Sequence, residues 1–257
     1  MVVMVDGLEE YVCKYSANTP ANKLLIEYLG YSFACLWDIP VPDAAFVRVL
    51  PEHVPKNLPN YLQPRSFDIP TFGSRYHPGS KEIDQSVISS WLSKPSQLKR
   101  IKNKTDLLKT GLFDIWLSNE DRVHNNTNLL VAAIPDGMKI MAIDHEKCFN
   151  SGVLDVAYPM YQINSDDSIL SFDLVPLLFK QGAEFERIKS DLLNEFPSLV
   201  SQCQNRLAQI LQLIPPEWRI DTDETERYLN SNIFALDWLK ETNENFTQFV
   251  AESFSKL

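Results

Sequence analysis

A basic excess is the first thing this 257-residue sequence lacks. Its 24 Lys and Arg face 34 Asp and Glu, for a net charge of -10 and a pI near 4.9. Nonspecific binding to nucleic acid or to an anionic membrane needs the opposite balance, so both are excluded, while a local phosphate pocket is not. No apolar run approaches the roughly 20 residues of a membrane span, and MVVMVDGLEE shows no basic region leading into an apolar stretch, so neither a span nor a secretory leader is expected. Cys13, Cys35, Cys148 and Cys203 are scattered with no C-x-x-C pair, which removes a disulfide framework and a zinc site and fits a reducing compartment. Internal repeats and low-complexity tracts are absent too. What remains is a cytoplasmic globular protein of ordinary composition, 44% apolar and 23% charged, long enough for one large domain or two lobes.

The chain changes character along its length. Two β-rich runs flank Asp6-Gly7, a hairpin signal. Leu24, Leu25, Tyr28, Leu29 and Phe33 recur at helical spacing and predict a helix from Thr19 to Trp37, with Pro20 in its first turn. Pro40 and Pro42 end it before the strand-like AAFVRVL. Residues 51–80 are rich in proline and turn formers and predict an irregular connection with one strand near Phe72 to Tyr76. Beyond them the pattern turns helical: Lys104 to Asn119 with Leu107, Leu108, Leu112, Phe113, Ile115 and Trp116 inward, then 180–213 and 222–255. One hairpin, NLLVAAIPDGMKIMAID, interrupts the helices. The expected class is α+β, with a β-rich part at 1–77 and a larger helical part at 78–257.

The stretch LSNEDRVHNN crowds acids, amides, an arginine and a histidine behind an apolar helix. The hairpin that follows runs straight into IDHEKCF, so local geometry brings Asp121 and Asn126 toward Asp144. A carboxylate, an amide oxygen five residues on, and a second carboxylate after a hairpin suit metal-assisted phosphoryl transfer. The first carboxylate orients or deprotonates a hydroxyl, and the other two oxygens hold Mg²⁺, a hard cation. Taken singly, each of these residues reads as a helix cap or turn former; jointly they favour the site. His124 has no visible orienting partner and reads as a loop residue. His145 and Cys148 have no matching second pair for a metal.

An independent pair lies near the N-terminus. Lys14 ends the apolar run EYVCKY, where an unpaired charge would be costly, and Glu27 sits on the inward stripe of the next helix. That order suits a phosphate lysine and its acidic partner. Lys14 also reads as a strand-end lysine reaching solvent.

EYVCKY, LIEYLGYSFACLWDIPVPDAAFV, FGSRY, FDIWLSNEDRVHNNTNLLV and MAIDHEKCF together resemble the HipA-like kinases, with D-R-x-x-x-N-x-N-L-L the most specific string. The resemblance spans roughly residues 8–150 and implies a two-lobed kinase fold, ATP and Mg²⁺ as cofactors, and a protein Ser/Thr, or the chain itself, as substrate. It implies Lys14 as the phosphate lysine, Glu27 as its partner, Asp121 as catalytic acid/base, and Asn126 and Asp144 as Mg²⁺ ligands, with Asn128 replacing Asn126 if the loop register differs. Phe72 to His77, with Arg75 and Tyr76, would form the hinge against adenine. Arg122 reads either as a group offsetting phosphate charge or as a structural ion pair. No glycine-rich string precedes Lys14, and His145-Glu146 stands where Phe-Gly follows the metal aspartate in other kinases. The missing string leaves a chain cut at its N-terminus, a reduced loop, or a pseudokinase or nucleotide-regulated binding module as readings; a small-molecule phosphotransferase is a further alternative. No direct nucleic-acid or membrane partner is expected. Ser66 and Ser74 in the connection read as plain loop serines.

Overall fold

The computed structural model describes residues 1–15, 21–60, 62–152, 154, 158–171 and 173–255. Strands β1 (Val2–Met4) and β2 (Glu10–Cys13) form the expected hairpin, its turn carrying Gly7 and Leu8 in the left-handed region at φ 93° and 63°. With β3 (Ala44–Val47) and β4 (Thr71–Arg75) they make an antiparallel sheet of order β1-β2-β4-β3. Strand alternation divides its side chains. Tyr11, Cys13 and Val47 form a small cluster on one face. Phe46 and Phe72, cross-strand partners on the other, meet Tyr28 at ring separations of 5.0 and 5.6 Å.

Tyr28 belongs to helix α1 (Asn22–Leu36), whose predicted start at Thr19 and Pro20 lies outside the described residues. Every residue from Leu24 to Gly30 is buried. A helix apolar on all sides is a central one, and α1 touches β4 on one side and the later helices on the other. It is thus the element through which the sheet leans on the helical part.

The connection 51–70 is irregular as expected, apart from single 3₁₀ turns at Pro51–His53 and Pro64–Phe67. Strand β5 (Lys81–Glu82) and helix α2 (Gln85–Ser93), capped by Asp84 through Val87 N at 2.9 Å, follow. Helix α3 (Lys104–Trp116) buries all six apolar residues assigned to its inner face. It stops three residues before the expected Asn119, because Ser118 turns left-handed at φ 46° and Asn119 N–H closes back on Asp114 O at 2.9 Å. Strands β6 (Leu129–Ile134) and β7 (Gly137–Ala142) are the expected hairpin, with β5 added to the β6 edge.

The remaining helices are α4 (Cys148–Gly152), α5 (Leu174–Leu178), α6 (Ala183–Gln212), α7 (Thr222–Ser231) and α8 (Leu236–Ser255). The single helix expected over 222–255 is broken at residues 232–235. There the Ile233 carbonyl leaves the helical ladder to accept the buried Trp116 indole N–H at 2.7 Å. Trp238 returns the favour from α8, its indole donating to Trp116 O at 2.8 Å, so the orphan carbonyl at the end of α3 is satisfied. Trp37 stacks on Trp116 at 5.2 Å and 12°, tying α1 to the same point. The fold is α+β, and among the described residues no helix is long and apolar enough to cross a membrane.

Candidate active site

Lys14 follows β2, an inner strand of the sheet, by one residue. Its ammonium lies 3.2 Å from Glu27 Oε2 and 3.2 Å from Glu146 Oε2, and it donates to Asp144 Oδ1. Burial alone would lower the Lys14 pKa, but Glu27, Asp144 and Glu146 outweigh it and hold the group above its ordinary value. The lysine is therefore charged at neutral pH.

Glu27 is 4% exposed and its carboxylate also accepts the His145 main-chain N–H at 2.8 Å. Burial pushes this carboxyl upward against the pull of Lys14. One buried acid of α1 thus grips both the lysine and the backbone just past Asp144. The grip is possible because α1 approaches closely at Gly30, where an added Cβ would lie 2.5 Å from His145 Cβ. His145 itself is buried edge-on to Phe113 at 6.2 Å. We expect Gly30→Ala to force α1 away from this loop, at about 1–3 kcal/mol of stability, read by urea unfolding; an unchanged midpoint would refute the close packing.

The hairpin supplies the opposite side. Pairing of Leu129 with Ala142 continues outward as Ile143 N–H to Asn128 O at 2.9 Å, which sets Asp144 beside the loop 117–128. Both Asn128 and Asp144 have positive φ, 47° and 58°. Such conformations cost energy and collect at functional sites. Asp121, half-buried, receives Asn128 Nδ2 on its main-chain O at 3.3 Å and on Oδ2 at 3.2 Å. Asn126 closes a tight turn with Val123 through main-chain bonds of 3.0 and 3.1 Å.

Arg122 settles between its two readings. It is fully buried, with Nε 2.9 Å from Asp114 Oδ2 and Nη1 donating to the carbonyls of Asn128 and of Ile143, the latter at 3.0 Å. A side chain so placed is a structural ion pair and cannot reach a substrate phosphate.

Arg75 and Tyr76 lie at the end of β4, both partly exposed. Their main-chain N–H groups are engaged, Arg75 with Asp43 O at 2.6 Å and Tyr76 with Glu10 O at 2.7 Å. The Arg75 guanidinium pairs with Glu9 at 2.6 Å. Neither of these two main-chain donors is left for a ligand.

Sequence reasoning missed Glu146, Asp114 and Asn119. Glu146 had a signal, an acid two residues beyond Asp144. Asp114 pairs with Arg122 eight positions away across a helix end, and no periodic pattern announces that. A cavity of about 140 Å³ opens beside Lys14, lined also by Lys23, Ser66, Thr71 and Glu146. Among the described residues no cluster of three His, Cys, Asp or Glu is pre-assembled for a metal. A kinase-type Mg²⁺ site needs none, since one or two protein oxygens are completed by nucleotide phosphates and water.

A profile of the HipA-like kinase family matches residues 4–168, more than half of the chain. This chain belongs to the HipA-like kinase family. No curated protein sequence matches it. Among solved structures it is similar to HipA of Shewanella oneidensis MR-1, described with HipB and operator DNA as a toxin–antitoxin system, at 13% identity and a TM-score of 0.47. That match covers 95% of this chain and 60% of the HipA chain, so the protein spans less than two thirds of that relative. It is also similar to the Helicobacter pylori proinflammatory kinase CtkA, at 13% identity and a TM-score of 0.49, covering 98% of this chain and 90% of that one.

Proposed function

We propose that this HipA-like chain is a cytoplasmic kinase that transfers the γ-phosphate of ATP to a serine or threonine of a protein, or of itself, with Mg²⁺. The single observation that carries the reading is the Lys14–Glu27 pair, held against Asp144 by the His145 N–H bond to Glu27. Two places far apart in the sequence, Lys14 with Glu27 and Asp144 with Glu146, contribute to one charged centre. In this reading residues 1–77 and 78–257 act as two lobes meeting at that centre, although α1 packs into the helical core.

Lys14 binds phosphate oxygens, Glu27 keeps the lysine aimed, and Asp121 receives the proton of the attacking hydroxyl. Asn126 and Asp144 would hold Mg²⁺, and their oxygen donors fit a hard cation. Bound there, the ion offsets charge on the phosphates. Around Lys14 three carboxylates face one ammonium, an excess of negative charge suited to that cation. Arg75 and Tyr76 mark the hinge.

Calorimetric titration with a nonhydrolysable ATP analogue, with and without Mg²⁺, tests this directly. We expect Mg²⁺-dependent binding that Asp144→Ala removes while the apo Tm changes by no more than about 2–4 °C, corresponding to roughly 1 kcal/mol. Folded protein that binds no nucleotide would overturn the assignment. A second reading is a module that binds nucleotide without turnover. Binding with no transfer to any Ser/Thr peptide or to the chain would select it, and transfer to a small alcohol alone would select a small-molecule phosphotransferase.

A further inference from the structure

Asn126 and Asn128 both stand within reach of the loop that carries Asp121, and the structure gives them different work. Asn128 is 5% exposed, and its Nδ2 faces two oxygens of Asp121, the main-chain carbonyl at 3.3 Å and carboxylate Oδ2 at 3.2 Å. Both are acceptors, so only the NH₂ end of the amide can point there. The asparagine is itself held from behind. Its carbonyl accepts Ile143 N–H at 2.9 Å and an Arg122 Nη1–H, and Arg122 is fixed by Asp114. Asp114 in turn receives Asn119 Nδ2 at 2.9 Å, and Asn119 Oδ1 accepts the Asp121 N–H at 3.3 Å. The chain of contacts closes on the residue where it began. Asp114, Asn119, Arg122 and Asn128 are all buried, and Asp121 alone opens toward solvent.

From this ring we infer that Asn128 is a positioning residue for Asp121: its NH₂ fixes the carboxylate rotamer that accepts the substrate proton, while Asn126 keeps the metal role proposed for it. A carboxylate that must meet a hydroxyl needs one oxygen free and aimed, and a donor on the other oxygen leaves that geometry. Asn126, half-buried, is joined to the loop by its main-chain bonds to Val123. Position 128 also requires a residue that tolerates φ 47°, which asparagine and aspartate do better than longer amide or carboxylate side chains. The inference rests on the kinase reading and divides the labour within it.

Asn128→Asp separates the two roles. An aspartate keeps the shape, the tolerance of positive φ and a metal-binding oxygen, but it has no hydrogen to donate and repels Asp121. We expect Asn128→Asp and Asn128→Gly each to lower kcat about 10²-fold, the scale of a misplaced catalytic group, with the Kd for Mg²⁺ and nucleotide within twofold of wild type. Asn126→Gly should instead raise the Mg²⁺ requirement, and Asn126→Asp should restore it. The inference is overturned if Asn128→Asp retains wild-type kcat, or if Asn128→Gly weakens Mg²⁺-dependent binding and Asn128→Asp recovers it. Should the wild-type chain show no turnover at all, the kinase reading fails separately. The contact is then judged from the Tm values of Asp121→Ala, Asn128→Gly and the double variant: losses smaller in combination than their sum support the link, and strict additivity refutes it.

Discussion

Asp121→Asn is expected to abolish phosphoryl transfer and leave the fold intact, because in the proposed reading Asp121 takes the proton of the attacking hydroxyl. Removing a general base costs about 10²–10⁴-fold in kcat. The amide cannot take up a proton, yet it preserves the size of the side chain and accepts the Asn128 NH₂ through its oxygen. Because Asp121 is half-buried at the mouth of the site, it makes little of the core, and the Tm should stay within a few degrees of wild type. Nucleotide binding should persist as well, since Lys14, Glu27 and Asp144 are untouched. The measurement is single-turnover transfer of labelled phosphate beside a calorimetric titration on the same preparation. Full activity in the variant would remove Asp121 from the chemistry. Loss of binding together with activity would show that the residue shapes the nucleotide site instead.

The second large effect concerns stability. Arg122 and Asp114 are 0% and 1% exposed and 2.9 Å apart at their closest. A pair this deep gives the fold little over an apolar pair of the same volume, but breaking one side leaves an uncompensated buried charge, at about 3–5 kcal/mol. Arg122→Ala also strips donors from the carbonyls of Asn128 and Ile143, so the loop and the hairpin lose their common anchor. We expect Arg122→Ala to lower the Tm by on the order of 10 °C, at about 2–4 °C per kcal/mol for a chain of this size class, and to lower transfer activity with it. Thermal unfolding followed by circular dichroism checks this. A Tm within about 2 °C of wild type, below the roughly 1 kcal/mol mark, would mean that the guanidinium reaches solvent and that the structural pairing is wrong. Asp121→Asn and Arg122→Ala are adjacent substitutions with opposite signatures, one losing chemistry without stability and the other losing both.

The contrast shows how far the sequence reaches. The approach of the loop 117–128 to Asp144 was legible because the hairpin between them is short: a turn at Pro135-Asp136 and six paired positions leave the strand ends little choice of neighbour, and Ile143 N–H meets Asn128 O. Lys14 and Glu27 were legible because a charge on an apolar strand and an acid on an apolar helix face are each too costly to leave unpaired. The periodicities of α1 and α3 marked their buried faces for the same reason, since helix repeat and burial are one pattern.

Tertiary contact decided the remainder. The break between α7 and α8 follows from a carbonyl needed by Trp116, more than a hundred residues earlier, and no local signal in 222–255 records that need. Glu146 at Lys14, and Arg122 with Asp114, depend on which oxygens are left facing which donors once α1, α3 and the hairpin are packed. The sequence by itself determined the elements and the charged residues that must find partners, because those costs are local. Only the folded structure determined who the partners are, because burial, which gives each ion pair its strength and its penalty, exists nowhere along the extended chain.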